Sequence, residues 1–93
     1  MIIKTDSSFK RSFKRLTRKN PQLQEKVLEV LELLGNDPFT PSLKSHQLTG
    51  QMEGLWSCSV NYDCRIIFAF KEDVETSEDL ILLIDIGSHD EVY

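Results

Sequence analysis

The sequence predicts an α+β fold in which two helices pack on one face of a mainly antiparallel, four-stranded sheet. Apolar residues recur at helical spacing between residues 9 and 34, two apolar runs flank a polar break near residue 62, and residues 80–86 form an unbroken apolar stretch. Helical spacing indicates amphipathic helices, and paired runs around a short break indicate a β-hairpin. In chain order the elements are β-α-α-β-β-β, within a single domain spanning residues 1–93.

The first third of the chain predicts a strand and a helical hairpin. Residues 1–4 are short and apolar, and the apolar spacing from Phe9 to Leu16 is typical of one helix face. Asn20 and Pro21 mark a helix end and a new start, because Asn is a common N-cap and Pro suits the first helical turn. We expect Gly35 to end the second helix in a left-handed conformation. The buried stripe of that helix comprises Leu23, Val27, Val30, Leu31 and Leu34.

The hairpin around residue 62 is the element on which the remaining chain depends. If Trp56, Cys58 and Val60 face the core, cross-strand pairing places Cys58 opposite Phe68 and Val60 opposite Ile66. Residues 62–64 are then the loop. The opposite face receives Ser57, Ser59, Asn61 and Arg65. A cation beside hydroxyl and amide groups makes this face the predicted location of a site.

The segments on either side of the hairpin are predicted to be an irregular stretch, an acidic loop and a strand. Residues 43–54 contain two glycines and are expected to be irregular, and residues 71–79 form an acidic loop. The continuous apolar run at residues 80–86 suits a central strand that is covered on both faces.

The composition argues against a membrane protein, a secreted protein and a metal-binding protein. No apolar run approaches the roughly 20 residues of a membrane helix, and the first residues lack the apolar region of a signal peptide, so we expect a cytoplasmic protein without membrane contact. The hairpin register separates Cys58 and Cys64 beyond disulfide reach. Two Cys and two His lie too far apart for a tetrahedral metal pattern, so no metal or other cofactor is expected.

Charge is unevenly distributed along the chain. The net charge is −4, yet residues 1–19 hold seven Lys or Arg against one Asp, and residues 71–91 hold eight acidic residues against one Lys. One interpretation is two solvated surfaces of opposite sign. The other is a basic face that binds phosphate or an acidic partner.

Five side chains are candidates for chemistry, each with an alternative. His46 and His89 can transfer protons near neutral pH, or they are ordinary surface histidines. Asp63 is either catalytic or a turn residue. Arg65 can donate two parallel hydrogen bonds to a phosphate, or it can pair with a carboxylate. Tyr93 either anchors the terminal segment to the sheet or stacks on a base. Metal-free RNA cleavage by 2′-hydroxyl attack needs a base, an acid and a cation, and this set contains all three.

Over nearly its whole length the sequence resembles the RelE/ParE superfamily of bacterial toxins from type II toxin–antitoxin systems. The resemblance lies in the spacing Leu48…Gly50…Gly54-Leu55-Trp56, the strand Arg65-Ile66-Ile67-Phe68, and the terminal Ile86-Gly87…Glu91-Val92-Tyr93. Within the superfamily the chain is most similar to the YafQ-like mRNA interferases. Their catalytic histidines, hairpin-loop aspartate and terminal aromatic match His46, Asp63, His89 and Tyr93. Arg65 matches the phosphate-binding arginine of RelE-type members, and Ser59 stands where YafQ-like enzymes have a further histidine.

This resemblance implies a ribosome-dependent mRNA endonuclease that cleaves by 2′-hydroxyl attack without a metal. The implied partners are a cognate antitoxin, whose helices wrap the toxin in a hetero-oligomer, and mRNA on the ribosome. The basic first helix is expected to approach ribosomal RNA. The residues predicted to bind RNA are Lys10, Arg11, Lys14, Arg15 and Arg18.

Two other functions are compatible with the same fold, since fold alone does not fix function. One is inhibition of DNA gyrase without nuclease activity, as in ParE-type toxins. The other is a catalytically degenerate module that only binds its antitoxin. The two histidines favour cleavage, because a gyrase inhibitor has no need of imidazoles at these positions.

Overall fold

The computed structural model describes residues 1–93 and has an α+β fold. The elements in order are β1 (Ile2–Thr5), α1 (Ser7–Thr17), α2 (Pro21–Asn36), β2 (His46–Gln47), β3 (Trp56–Ser59), β4 (Cys64–Glu72), β5 (Asp79–Ser88) and α3 (His89–Val92). Short 3-10 turns lie at Pro41–Leu43 and Gly50–Met52. No helix is long and apolar enough to cross a membrane.

The sheet has five strands rather than the predicted four, in the order β1-β5-β4-β3-β2. The additional strand is β2, where His46 pairs with Ser57 and Gln47 with Trp56. Two residues are too few to show an alternating pattern, so the expectation of irregular chain here was wrong. The β1–β5 pair is parallel and the other pairs are antiparallel. The strand β5 lies between β1 and β4, which confirms its predicted central position.

The hairpin of β3 and β4 forms with a register that differs from the predicted one by two residues. Cys58 lies opposite Ile66, and Val60 belongs to a four-residue loop. The Asn61 side chain causes the shift, because its Oδ1 accepts hydrogen bonds from the backbone N–H groups of Asp63 (3.0 Å) and Cys64 (2.9 Å). Since side chains alternate with a period of two, this shift leaves the paired strand residues on their predicted faces.

The helical hairpin begins as predicted but ends differently. Asp6 caps α1 by accepting from the Ser8 N–H, and Asn20 caps α2 by accepting from the Leu23 N–H, with Pro21 in the first turn. Gly35, expected as a left-handed terminator, lies within α2. A Cβ at this position would lie 3.3 Å from Cδ1 of Ile3, so the glycine allows close packing of α2 on β1.

One apolar core lies between the two helices and the sheet. Its fully buried members include Val27 and Leu34 from α2 and Ile66 and Phe68 from β4, each 0% exposed. Burial of a side chain of this size contributes about 1.5–3 kcal/mol. Trp56, expected in the core, is only partly buried and packs edge-on against Phe70 at the margin. The helices therefore cover one face of the sheet.

Candidate active site

An open depression of about 790 Å³ lies where β2, the β3–β4 loop and α3 meet. Its lining includes four of the five predicted catalytic residues, namely His46, Asp63, Arg65 and His89. Ser59 and Arg65 pair with each other across β3 and β4 on the face away from the helices. The fold thus brings residues that are up to 43 positions apart onto one surface.

His46 occupies the edge strand β2, and its ring has a defined hydrogen bond. Its Nδ1 lies 3.0 Å from the backbone carbonyl oxygen of Lys44. A carbonyl oxygen only accepts hydrogen bonds, so Nδ1 carries the proton and Nε2 of the neutral ring is left as an acceptor. Lys44 adopts a left-handed conformation (φ 51°) directly after the Pro41–Leu43 turn, which directs this carbonyl toward the imidazole.

Arg65 is held by backbone carbonyl groups and not by a carboxylate. Its Nη1 donates to the Asn61 oxygen at 2.7 Å and to the Cys64 oxygen at 3.1 Å. No acidic oxygen lies within 4.0 Å of the guanidinium, so the alternative of an ion pair is not observed. The group therefore keeps an uncompensated positive charge, and its Nη2 and Nε make no hydrogen bond within the chain.

Asp63 lies exposed in the hairpin loop. The alternative prediction was that the Asp63 carboxylate accepts hydrogen bonds from the turn amides. The Asn61 side chain accepts those bonds instead. The Asp63 carboxylate has no hydrogen-bond donor within the chain, and the residue lines the depression. It is free to contact a ligand or a neighbouring imidazole.

His89 begins α3, a single turn held by a capping box. The Ser88 hydroxyl accepts from the Glu91 N–H at 3.2 Å, and Oε1 of Glu91 accepts from the Ser88 N–H at 2.9 Å. The imidazole meets the ring of Tyr93 edge-on, with centroids 4.5 Å apart. The turn therefore fixes the position of the His89 imidazole at the depression.

Tyr93 does not line the depression, unlike the other four predicted residues. Its hydroxyl hydrogen-bonds to the hydroxyl of Ser57, a side chain that is 0% exposed in the centre of β3. This contact agrees with the anchoring alternative for Tyr93. Ser57 was assigned a face from the sequence but no role, because its importance depends on a residue 36 positions away.

The residues predicted to bind RNA lie elsewhere. All five are exposed on or just after α1, and none lines the depression. Arg15 contacts Glu91 of α3 at 3.3 Å, so the basic helix touches the element that carries His89. Solvent screens an exposed pair of this kind, so it contributes little to stability.

The two cysteines are buried free thiols. Burial raises the pKa of Cys58 to about 12 and the pKa of Cys64 to about 11. Both remain protonated at neutral pH, so neither is suited to nucleophilic chemistry. No group of three or more His, Cys, Asp or Glu side chains is arranged to hold a metal ion.

A family model described as "Bacterial toxin of type II toxin-antitoxin system, YafQ" matches residues 1–93. No curated protein sequence matches the chain at a significant level.

Several solved structures share the fold. A YoeB/ParE toxin from Agrobacterium tumefaciens has a TM-score of 0.78 at 21% identity, covering 96% of this chain and 99% of its own. YafQ from E. coli strain BL21(DE3) has a TM-score of 0.78 at 20% identity, with coverage of 98% and 96%. The E. coli DinJ-YafQ complex matches with a TM-score of 0.75 at 20% identity, covering 98% of this chain and 96% of that one.

Proposed function

The chain belongs to the YafQ family of bacterial toxins from type II toxin–antitoxin systems, and we propose that it is a ribosome-dependent mRNA endonuclease neutralised by a cognate antitoxin. The observation that supports this most strongly is the meeting of two imidazoles, a carboxylate and an unpaired guanidinium in one open depression. These groups supply a base, an acid and a cation for phosphodiester cleavage without a metal.

In the proposed reaction the 2′-oxygen of one nucleotide attacks the adjacent phosphorus. Nε2 of His46 takes the 2′-hydroxyl proton as the new bond from the 2′-oxygen to phosphorus forms. The bond from phosphorus to the 5′-oxygen breaks, and His89 donates a proton to that leaving oxygen. The products are a 2′,3′-cyclic phosphate and a free 5′-hydroxyl.

The hydrogen bond of His46 supports these assignments. The Lys44 carbonyl holds the proton of His46 on Nδ1, so the unprotonated Nε2 is ready to accept one. His89, the second imidazole in the depression, then supplies the proton. Asp63 orients an imidazole through its free carboxylate, and Tyr93 positions His89 through the ring contact.

Arg65 stabilises the charge that develops on phosphorus-bound oxygens. Because backbone carbonyls hold Nη1, the free Nη2 and Nε are fixed in place to donate to a phosphate. Removing a comparable preorganised donor lowers kcat by about 10²–10³-fold in other enzymes.

An antitoxin is the proposed partner, in agreement with the DinJ-YafQ complex. A groove of about 470 Å³ between α1 and α2 is apolar at Phe9, Phe13 and Leu28 and has Lys10 and Lys14 at its rim. It suits an amphipathic antitoxin segment with acidic residues at its edges. Such a segment would cover two of the lysine residues proposed to approach ribosomal RNA, which accounts for neutralisation.

The test is mRNA cleavage in a translation extract. His46→Ala and His89→Ala should each lower the rate by about 10²–10⁴-fold, and the wild-type products should carry 2′,3′-cyclic phosphate ends. Glu25→Gln, an exposed change on α2, is the matched control and should cleave normally. Equal cleavage by wild type and His89→Ala would refute the proposal. Inhibition of gyrase supercoiling without RNA cleavage would support gyrase inhibition instead.

A further inference from the structure

The side chain of Tyr62 is presented to solvent at the tip of the hairpin loop. It is 97% exposed, and its ring makes no hydrogen bond and no aromatic contact within the chain. The residue also lines the depression that contains His46, Arg65 and His89. A ligand that covers the faces of a fully exposed aromatic ring binds favourably, because apolar surface is removed from water.

The loop that carries Tyr62 is held in place on both sides of the residue. Asn61 Oδ1 accepts from the N–H groups of Asp63 and Cys64, and the Asn61 carbonyl accepts from Arg65 at 2.7 Å. The Val60 N–H donates to the Cys64 oxygen at 2.9 Å. Since the backbone is already ordered, a ligand that stacks on the ring loses little additional conformational entropy.

The surroundings of the ring favour a nucleic acid over an apolar ligand. Within the lining, Lys44 and Arg65 outnumber the single carboxylate of Asp63, although the chain as a whole is acidic. Single-stranded nucleic acids bind where a cationic groove follows the backbone and aromatic rings stack on the bases. Arg65 supplies the cation and Tyr62 the aromatic ring. Nη1 of Arg65 donates to the backbone carbonyl of Asn61, the residue directly before Tyr62.

We propose that Tyr62 is a stacking platform for a nucleobase of single-stranded mRNA next to the phosphate that Arg65 binds. This inference rests on the proposed function and adds a substrate-binding residue outside the proton-transfer groups. Stacking holds the base equally in the ground state and the transition state. Loss of the ring should therefore raise KM and leave kcat unchanged.

The kinetic test compares four variants in ribosome-programmed mRNA cleavage. Tyr62→Phe and Tyr62→Trp retain a π-face and should stay within about threefold of wild type. Tyr62→Ala and Tyr62→Leu should lower kcat/KM by about 5- to 150-fold, which corresponds to the roughly 1–3 kcal/mol of a base–aromatic stack. Val74→Ala, which removes an equally exposed apolar side chain from the acidic loop, should have no effect.

Two kinetic outcomes would overturn the proposal. Wild-type kinetics in Tyr62→Ala would show that the ring contributes nothing. Equal activity of Tyr62→Leu and Tyr62→Phe would show an apolar contact, such as one with a protein, and not base stacking.

A binding measurement separates this proposal from the proposed function. The probe is an uncleavable 2′-O-methyl RNA octamer that contains 2-aminopurine, whose fluorescence is quenched when the base stacks on a ring. Quenching by wild type and Tyr62→Phe but not by Tyr62→Leu supports the platform, even if no mRNA is cleaved. Cleavage that depends on His89 without any effect of Tyr62 on quenching or KM would leave the nuclease proposal intact and refute the platform.

Discussion

The hydroxyl of Ser57 connects the centre of the sheet to the proposed catalytic acid. It is fully buried and hydrogen-bonded to the Tyr93 hydroxyl, and the Tyr93 ring contacts the His89 imidazole edge-on. A buried hydroxyl that loses its only partner destabilises a protein by about 1–3 kcal/mol. The position of His89 thus depends on a residue that never meets the substrate.

A double-mutant cycle tests this connection. Tyr93→Phe keeps the ring contact but leaves the Ser57 hydroxyl unpaired, so it should lower the free energy of unfolding by about 1–3 kcal/mol. Adding Ser57→Ala should recover part of that loss, because both partners are then apolar. Urea unfolding measures both effects. Simple additivity of the two single changes would mean that the hydrogen bond contributes nothing.

Two short elements, β2 and α3, carry the two histidines. Neither element was predicted, because neither segment shows an alternating or helical period. A signal for α3 was nevertheless present, since Ser88 and Glu91 have the Ser-x-x-Glu spacing of a capping box. No comparable signal marks β2, whose pairing with β3 depends on the rest of the sheet.

The capping box makes α3 sensitive to pH. Hydrogen bonds from Ser88, first from its backbone N–H, hold the pKa of Glu91 below its ordinary value of 4.5. A lowered pKa in the folded state means that the stabilisation is fully present above pH 4.5 and is lost as the pH falls through the folded pKa. We therefore expect α3 to loosen below about pH 4.5.

Proton NMR of the Val92 methyl groups between pH 6 and pH 3 would detect this change. In Glu91→Gln the same signals should not shift across that range, because the side chain no longer titrates. Glu25→Gln, at an exposed residue without a hydrogen bond, should behave like wild type. Identical titration of Val92 in wild type and Glu91→Gln would rule out the capping box as the cause.

Across the whole molecule, the sequence predicted which side chains share a face more reliably than how strands align. The hydrophobic alternation of β3 and β4 placed Cys58 and Ile66 toward the core and Arg65 away from it, as observed. The register itself depended on the Asn61 hydrogen bonds, which periodicity does not encode. The meeting of His46 with His89 in one depression depends on tertiary structure; the residue types and the family resemblance suggested it, but no sequence period encodes it.

Different surfaces of the molecule are proposed to bind mRNA and the antitoxin, with mRNA in the depression and the antitoxin in the groove between α1 and α2. Leu28 is 54% exposed in that groove, so Leu28→Lys should fold normally. The change should weaken neutralisation by the antitoxin at least tenfold, because a charge enters an apolar contact, and leave mRNA cleavage unchanged. Growth rescue by co-expressed antitoxin measures neutralisation.

Leu33→Lys provides the control for that experiment. Leu33 lies on the same helix, is 37% exposed and does not line the groove. Unchanged neutralisation of Leu28→Lys, or equal loss in both variants, would show that the groove is not the antitoxin site.

The central claim is that two imidazoles with different roles act on one phosphate, and the pH dependence of single-turnover mRNA cleavage tests it most directly. Wild type should give a bell-shaped profile. The residual activity of His46→Ala should lose the acidic limb, where protonation silences a base, and that of His89→Ala should lose the alkaline limb, where deprotonation removes an acid. A bell that survives unchanged in either variant would contradict the account.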